Sequence, residues 1–342
     1  MPRPISNPPS PFLERFTVYD VDGEPVPPAH LEVYEERSKS ILSRNESPDI
    51  AFRWSLNPYR GCYHGCIYCY ARPSHGYWGF GAGTDFERKI IVKTNAPELL
   101  EEMLSKPSWK GEWITLSGNT DCYQPLEAKY RLTRRIIEVC LRFKQAIAII
   151  TKSALVCRDI DLLSDLAKCT EVRVVLSVPM PDDALGRKIE PYASLVSKRF
   201  EAMRRLADAQ IPVGVSLAPI IPGLNDHAIP SILDRAKASG ARFAFMSLVR
   251  LPHELRLVFE ERLKEVLPER AQTIIKHIRA VRGMAKESAF GERMRGEGER
   301  WELIERLFHL HAKRLGLEIG INAMAPPLPS KSSPQLALFD ED

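Results

Sequence analysis

Residues 57–70 of this chain are Asn57-Pro58-Tyr59-Arg60-Gly61-Cys62-Tyr63-His64-Gly65-Cys66-Ile67-Tyr68-Cys69-Tyr70. The three cysteines have the spacing C-x3-C-x2-C. Thiolates on one tight loop can bind three corners of an iron–sulfur cube, and glycines in the loop allow the turns that such a wrap needs. A cube has four irons, so one iron would keep an open position for a small molecule.

A structural zinc ion is the alternative for the same cysteines. Zinc needs four closed ligands, and His64, His75 or Cys122 would have to be the fourth. Zinc cysteines usually come as two separated pairs, and no second C-x2-C pair exists in the sequence. Disulfides are disfavoured because the cysteine count, 7, is odd and nothing marks the chain as secreted.

Composition bounds the class of protein. The chain has 342 residues, of which 44% are hydrophobic, enough for a large core. No apolar run approaches membrane-spanning length, and the proline-rich start lacks an apolar signal core. We therefore expect a cytoplasmic protein that is not in a membrane. A net charge of +4 is only weak support for a nucleic-acid partner.

Apolar strands and amphipathic helices alternate through the middle of the sequence. This alternation predicts a parallel sheet, and six such units favour an α/β fold with a partial (β/α)6 barrel over a closed eight-stranded one. The predicted strands are Ile50–Leu56, Trp113–Leu116, Ala146–Ile150, Val172–Val178, Ile211–Leu217 and Phe243–Leu248. We divide the chain into an irregular proline-rich arm (1–47), the barrel (48–250), a helical extension packed on it (251–322) and a disordered tail (323–342).

Polar residues recur where the predicted strands end. The second to fifth strands are followed by Asp121, Lys152, Ser177 and Ala218 in turn. Function in such barrels lies at the carboxyl ends of the strands. We therefore expect the cysteine segment and these residues to share one site.

The cysteine spacing, with an aromatic before the last cysteine, resembles the signature of the radical S-adenosylmethionine superfamily. The resemblance implies a [4Fe-4S] cluster on Cys62, Cys66 and Cys69. It also implies that the open iron binds S-adenosylmethionine, which is cleaved to a 5′-deoxyadenosyl radical. An electron donor such as flavodoxin or ferredoxin is implied as a partner.

Several stretches between residues 50 and 250 are similar to the spore photoproduct lyase group, a DNA-repair branch of that superfamily. They include Gly61–Tyr70, Ile150–Lys152, Glu190–Pro191 and Leu217–Ile220. The likeness implies an enzyme of the lyase class that acts on DNA or another nucleic acid in repair or modification. A radical enzyme that modifies a protein or small metabolite, and a zinc-stabilised nucleic-acid-binding protein without catalysis, stay open as alternatives.

The same likeness suggests roles for residues that bind the cofactor. Lys152 would pair with the carboxylate of the cofactor, Ser177 would bond its ribose, and backbone at Ala218 would bond the adenine edge. Tyr68 would pack on the adenine. Asp121, together with Glu127, would orient the cofactor amine or cap the next helix.

Two residues are candidates for contact with the substrate. Tyr70 would face it, unless it is a plain core aromatic. Spore photoproduct lyases use a cysteine at the end of the second strand as hydrogen-atom donor, but Gly118 occupies that position. Cys122 lies four residues further on and is the alternative donor. Reversal of a thymine dimer is therefore in doubt.

The last residues form a separate motif. Residues 325–334 are rich in proline and serine and predict a flexible linker. The pentapeptide Gln335-Leu336-Ala337-Leu338-Phe339 follows. It resembles the bacterial sliding-clamp-binding motif, to which Leu336 also belongs; there Gln335 would bond the pocket rim while Leu338 and Phe339 fill a hydrophobic cleft. The alternative is that the tail folds back on its own domain.

Overall fold

The computed structural model describes residues 31–324 except 48, 51, 253 and 283–292. Its main sheet has eight strands in the order β11-β10-β9-β8-β7-β6-β3-β2. The strands are β1 Glu32–Glu36, β2 Leu42–Arg44, β3 Trp54–Leu56, β4 Tyr59–Arg60, β5 Lys89–Lys93, β6 Ile114–Leu116, β7 Ile147–Thr151, β8 Val172–Ser177, β9 Val213–Ile220, β10 Phe243–Leu248 and β11 Glu318–Ile319.

The six predicted strands correspond to β3 and β6–β10, and they pair in parallel in chain order. Most of their residues are buried and the rest are half-buried, as expected for parallel strands covered on both faces. The predicted α/β partial barrel is therefore confirmed. The first strand is shorter than predicted, since it begins at Trp54 rather than at Ile50.

Helices connect these strands and cover the outer face of the sheet. In α4, the residues Leu132, Ile136, Ile137 and Cys140 are buried, which is the apolar face expected from the sequence. The helices are α1 Thr84–Arg88, α2 Ala96–Leu104, α3 Glu127–Tyr130, α4 Leu132–Phe143, α5 Ile160–Cys169, α6 Asp183–Ile189, α7 Val196–Asp208, α8 Ile229–Ala238, α9 Leu255–Val266, α10 Pro268–Arg282 and α11 Glu299–Arg314.

A small second sheet has the order β1-β5-β4 and was not predicted. Strand β1 pairs in parallel with β5, and β4 pairs with β5 in antiparallel fashion. The segment 32–44, expected to be irregular, therefore contributes one strand to each sheet, β1 and β2. Asn95 precedes α2, but its side chain does not cap the helix; it bonds both backbone groups of Ser38 and ties this segment down.

Helices α9, α10 and α11 follow the last long strand, where helical patterns were predicted. Strand β11 then joins the sheet beside β10, and a 3-10 turn, Ile321–Met324, packs against β10 and β8. Among the described residues, no helix has the length and apolarity to cross a membrane. The candidate motif at 335–339 and residues 1–30 of the predicted arm lie outside the described residues.

Candidate active site around the cysteine loop

The cysteine loop, residues 61–70, follows β4 and lies at the carboxyl ends of the parallel strands. Backbone contacts fix it at three points: Cys62 N donates to Phe86 O at 2.9 Å, Ile67 N donates to Ile189 O at 3.1 Å, and His64 O accepts from Tyr192 N at 3.1 Å. Gly61 has a φ of 73°, and a Cβ there would lie 2.9 Å from Phe86 O. Both the conformation and the space therefore require glycine at this turn.

Arg72 holds the loop from beneath and was not identified from the sequence. Its side chain is fully buried. The guanidinium donates to Cys66 O from Nε at 3.1 Å and from Nη2 at 2.9 Å, and to Gly65 O at 3.1 Å. It also donates to the carbonyls of Ala82 and Gly83 and forms an ion pair with buried Glu87. One side chain thus joins the cysteine loop, the backbone of Ala82 and Gly83, and α1.

The three thiols lie close together on the loop. Cys62 and Cys66 are buried, and Cys69 is half-buried. Burial raises the pKa of the Cys62 thiol well above its ordinary value, and negative charge at Asp121, Cys66 and Cys69 raises it further. These electrostatic effects indicate that the three thiols lie in the same neighbourhood of the loop.

This donor set fits a cluster better than a single ion. Among the described residues, no three His, Cys, Asp or Glu side chains converge on one metal position. A closed structural zinc site needs such convergence, whereas a cube binds each thiolate on a different iron. The loop therefore suits a three-cysteine cluster.

Asp121, at the end of β6, is held by several partners. Its Oδ1 accepts from Thr151 Oγ1 at 2.7 Å, and its Oδ2 accepts from Lys152 N at 2.7 Å. His64 Nδ1 lies 3.4 Å from Oδ2, and burial lowers the pKa of this histidine to about 4. Asp121 therefore joins the ends of β6 and β7. Glu127 follows the helix-capping alternative, since its carboxylate accepts from Thr133 N at 3.0 Å and Arg134 N at 3.3 Å in the first turn of α4; it also pairs with Arg158.

Lys152 lies near a buried group of polar and charged side chains, Tyr68, Glu190 and Arg199. Its Nζ is 5.6 Å from the centre of the Tyr68 ring. The Tyr68 hydroxyl donates to Glu190, and Glu190 pairs with Arg199 at 2.6 Å. Burial lowers the pKa of Lys152, but negative charge at Cys66 and Glu190 outweighs burial and raises it overall. The ammonium is therefore charged next to a cluster thiol.

The next two strands bring their predicted residues to the same edge. Ser177 ends β8 and is in register with Ser216 of β9. Its carbonyl accepts from Arg199 at 2.9 Å, which links it to the same group of buried side chains. Ala218 lies two residues beyond Ser216 and is half-buried. The structure thus gathers the cysteines, Asp121, Lys152, Ser177 and Ala218 at one end of the sheet.

The two candidate substrate residues differ in exposure. Tyr70 is 53% exposed, and its hydroxyl donates to the Gly118 carbonyl at the end of β6. Cys122 is fully buried in the core, with its backbone held by Ser117 and Thr133. The structure therefore brings Tyr70, but not the Cys122 thiol, to the open face beside the cysteine loop.

Comparisons with known proteins agree with this geometry. An uncharacterised protein of Mycobacterium bovis is 36% identical over 213 residues, which are 61% of this chain and 62% of that relative, so the chain aligns with less than two thirds of its length. An uncharacterised protein of Methanocaldococcus jannaschii is 30% identical over 196 residues, 57% of this chain and 70% of that protein.

Solved structures show the same fold. Spore photoproduct lyase complexed with dinucleoside spore photoproduct superposes with a TM-score of 0.60 at 14% identity, over 84% of this chain and 81% of that one. At this identity, the likeness shows the fold alone. The family described as "Radical SAM superfamily" matches residues 56–236. Because that match spans more than half of the chain and includes the cysteine loop, the protein belongs to the radical S-adenosylmethionine superfamily, whose enzymes use a [4Fe-4S] cluster and S-adenosylmethionine and need a reductant.

Proposed function

We propose that this radical S-adenosylmethionine enzyme acts on DNA or another nucleic acid in repair or modification. The observation that carries the proposal is the arrangement at the open end of the sheet, where an exposed Tyr70 lies beside a three-cysteine loop. An exposed aromatic ring is a stacking surface for a nucleobase. The fold shared with spore photoproduct lyase supports the same substrate class.

In this proposal Cys62, Cys66 and Cys69 hold the cluster and Arg72 keeps their loop in place. When bound, the cluster and S-adenosylmethionine supply the 5′-deoxyadenosyl radical. The protein's part is to position the cofactor and the substrate and to exclude water from the site. Lys152 is charged and fixed through its backbone by Asp121, so it is suited to bind the cofactor carboxylate.

The other proposed cofactor contacts rest on the location of Ser177 and Ala218 at the same edge of the sheet as the cysteine loop. Ser177 bonds the ribose, and the backbone at Ala218 bonds the adenine edge. The Tyr68 hydroxyl donates a hydrogen bond to Glu190, so Tyr68 would contact the cofactor through its ring. The oxygens of Asp121 are already shared among Thr151, Lys152 and His64, and its role is to position Lys152 rather than to bind the cofactor amine directly.

The reaction is not proposed to be that of ordinary spore photoproduct lyases. Gly118 stands where those enzymes carry the hydrogen-donor cysteine, and a Cβ at Gly118 would lie 3.1 Å from Ser55 Cβ. Near Gly118, both Tyr70 and the adjacent Asn119 are exposed and so open to a substrate. This departure favours a second candidate, a radical enzyme that modifies a protein or a small metabolite.

Two macromolecular partners belong to the proposal. A flavodoxin or ferredoxin would supply the electron that the superfamily needs. A bacterial sliding clamp would bind Gln335, Leu336, Leu338 and Phe339 and so bring the enzyme to DNA, because a short apolar motif at a chain end is a common docking segment.

The test is anaerobic turnover. The reconstituted full chain is incubated with S-adenosylmethionine, a reductant and ultraviolet-irradiated DNA, while lesion loss and 5′-deoxyadenosine formation are measured together. Cofactor cleavage that depends on the DNA supports the proposal, and Cys66→Ala is the control that should abolish it. Cofactor cleavage that no nucleic acid stimulates, but that a protein or metabolite extract does, would replace it with the second candidate.

A further inference from the structure

A second concave site lies at the opposite end of the sheet from the cysteine loop. This basal cleft has a volume of about 910 Å³ and lies at the amino ends of β6, β7 and β8. Its walls combine apolar side chains with two cations. The residues that matter here are Leu104, Trp109, Lys110, Phe143, Lys144 and Glu171. None of them belongs to the candidate active site.

The apolar wall of the basal cleft includes two aromatic side chains, Phe143 and Trp109, and contacts with neighbouring residues fix the Trp109 ring. Phe143, at the end of α4, is 38% exposed. The Trp109 indole is held by a hydrogen bond from Nε1 to Gln145 Oε1 at 2.8 Å and by Trp54, whose ring centre is 5.6 Å away. The exposed Phe143 and the half-buried Trp109 give this concave site an apolar wall that is suited to bind an apolar segment.

The rim of the cleft carries positive charge. Lys110 and Lys144 are both exposed there, and Glu171 is the one acidic residue among those that line it. An acidic segment that follows an apolar one would therefore be attracted to this rim.

The described part of the chain ends near the amino ends of the same strands. Arg173 Nη1 donates to Ala323 O at 2.5 Å, and Met324 is fully buried in one cluster with Trp113 and Ala146. Ala146 also lines the cleft. Arg173 follows Glu171 by two residues, which is about 7 Å along an extended strand.

The remaining residues 325–342 have the complementary sequence. The ten residues 325–334 can span at most about 35 Å, so Leu336, Leu338 and Phe339 can reach the cleft from Met324. The acidic residues Asp340, Glu341 and Asp342 come immediately after. The order, apolar and then acidic, matches an apolar wall with a lysine rim.

We propose that the segment Leu336–Asp342 docks in the basal cleft of its own chain. Leu338 and Phe339 pack on Trp109 and Phe143, and the acidic end pairs with Lys110 and Lys144. The same apolar side chains cannot fill this cleft and a clamp pocket at once, so the two forms of binding exclude each other. The proposal does not depend on the enzyme's substrate.

Hydrogen exchange on the full chain tests it. Leu338→Ala/Phe339→Ala should make amides in residues 104–111 and 143–146 exchange severalfold faster than in the parent, and Lys110→Glu/Lys144→Glu should do the same. Adding Asp340→Lys/Glu341→Lys/Asp342→Lys to the lysine variant should restore protection, which a merely local effect of the lysine changes would not.

Two results would overturn the proposal. Exchange in the cleft that is unchanged by the Leu338→Ala/Phe339→Ala change would show that the segment does not dock there. Protection that is lost on dilution of the parent, together with a dimer that the same change dissociates, would assign the segment to the cleft of a second copy instead.

Discussion

Replacing Arg72 tests whether one buried side chain holds the cysteine loop. Arg72→Met keeps an unbranched side chain but removes the guanidinium, with its five hydrogen bonds to carbonyl oxygens and its ion pair with Glu87. Removing one partner of a buried ion pair costs about 3–5 kcal/mol, because the other charge stays buried. Arg262 lies 3.9 Å from Glu87 and compensates in part. We therefore expect a loss of about 3 kcal/mol in unfolding free energy, at the lower end of that range.

The assay has two readouts. Urea unfolding of the cluster-free protein measures the change in stability, and iron and sulfide per chain after anaerobic reconstitution measure retention of the cluster. The double variant Arg72→Met/Glu87→Gln should lose less stability than the single one, since no charge is left unpaired, yet should still retain the cluster poorly. Arg88→Met, at an exposed position in α1, is the control and should change neither readout. An Arg72→Met protein with parental stability and a full cluster would refute the reasoning.

Three further predictions concern the cofactor, the substrate and the tail. Changing Cys62, Cys66 or Cys69 singly to Ala should abolish the iron–sulfur absorbance of the reconstituted protein, whereas Cys169→Ala should leave it intact; a normal spectrum in any of the three would contradict the ligand assignment. Lys152→Ala should weaken S-adenosylmethionine binding by about 1–3 kcal/mol in a cofactor titration. Lys168→Ala, at an exposed lysine, is the control, and equal affinities of the two variants would show that Lys152 does not bind the cofactor carboxylate. A peptide of residues 331–342 should bind purified sliding clamp with a Kd near ~1 µM, and the Leu338→Ala/Phe339→Ala peptide should not; equal binding of the two would show that the motif is not what the clamp recognises.

The sheet and the location of the site could be predicted from the sequence. Strand β10 has the predicted bounds, Phe243–Leu248, because a short apolar run between polar segments defines a buried strand sharply. Lys152 and Ser177 lie at the predicted edge because parallel strands all end on the same side. These inferences rest on local patterns, each contained within a few residues.

The features that were missed depend on contacts between distant segments. Strand β1 pairs with β5, far along the chain, and its sequence Glu32-Val33-Tyr34-Glu35-Glu36 has too few apolar residues to stand out. The sequence around Arg72 does not distinguish it from a surface arginine, because its burial depends on how its segment folds against the cysteine loop. Cys122 was predicted as the alternative hydrogen-atom donor because it lies four residues after Gly118 in the sequence. In the structure its side chain is buried in the core.

The two edge strands of the main sheet bear on self-association. β2 has three residues and ends at Arg44, and β11 has two and begins at Glu318. An open sheet presents unpaired backbone at both edges, and long apolar edges recruit further strands into aggregates. Here each edge is short and carries a charge, so it offers a poor template for another chain. A barrel that stays open at its seam can therefore remain dispersed at the concentrations at which anaerobic reconstitution is carried out.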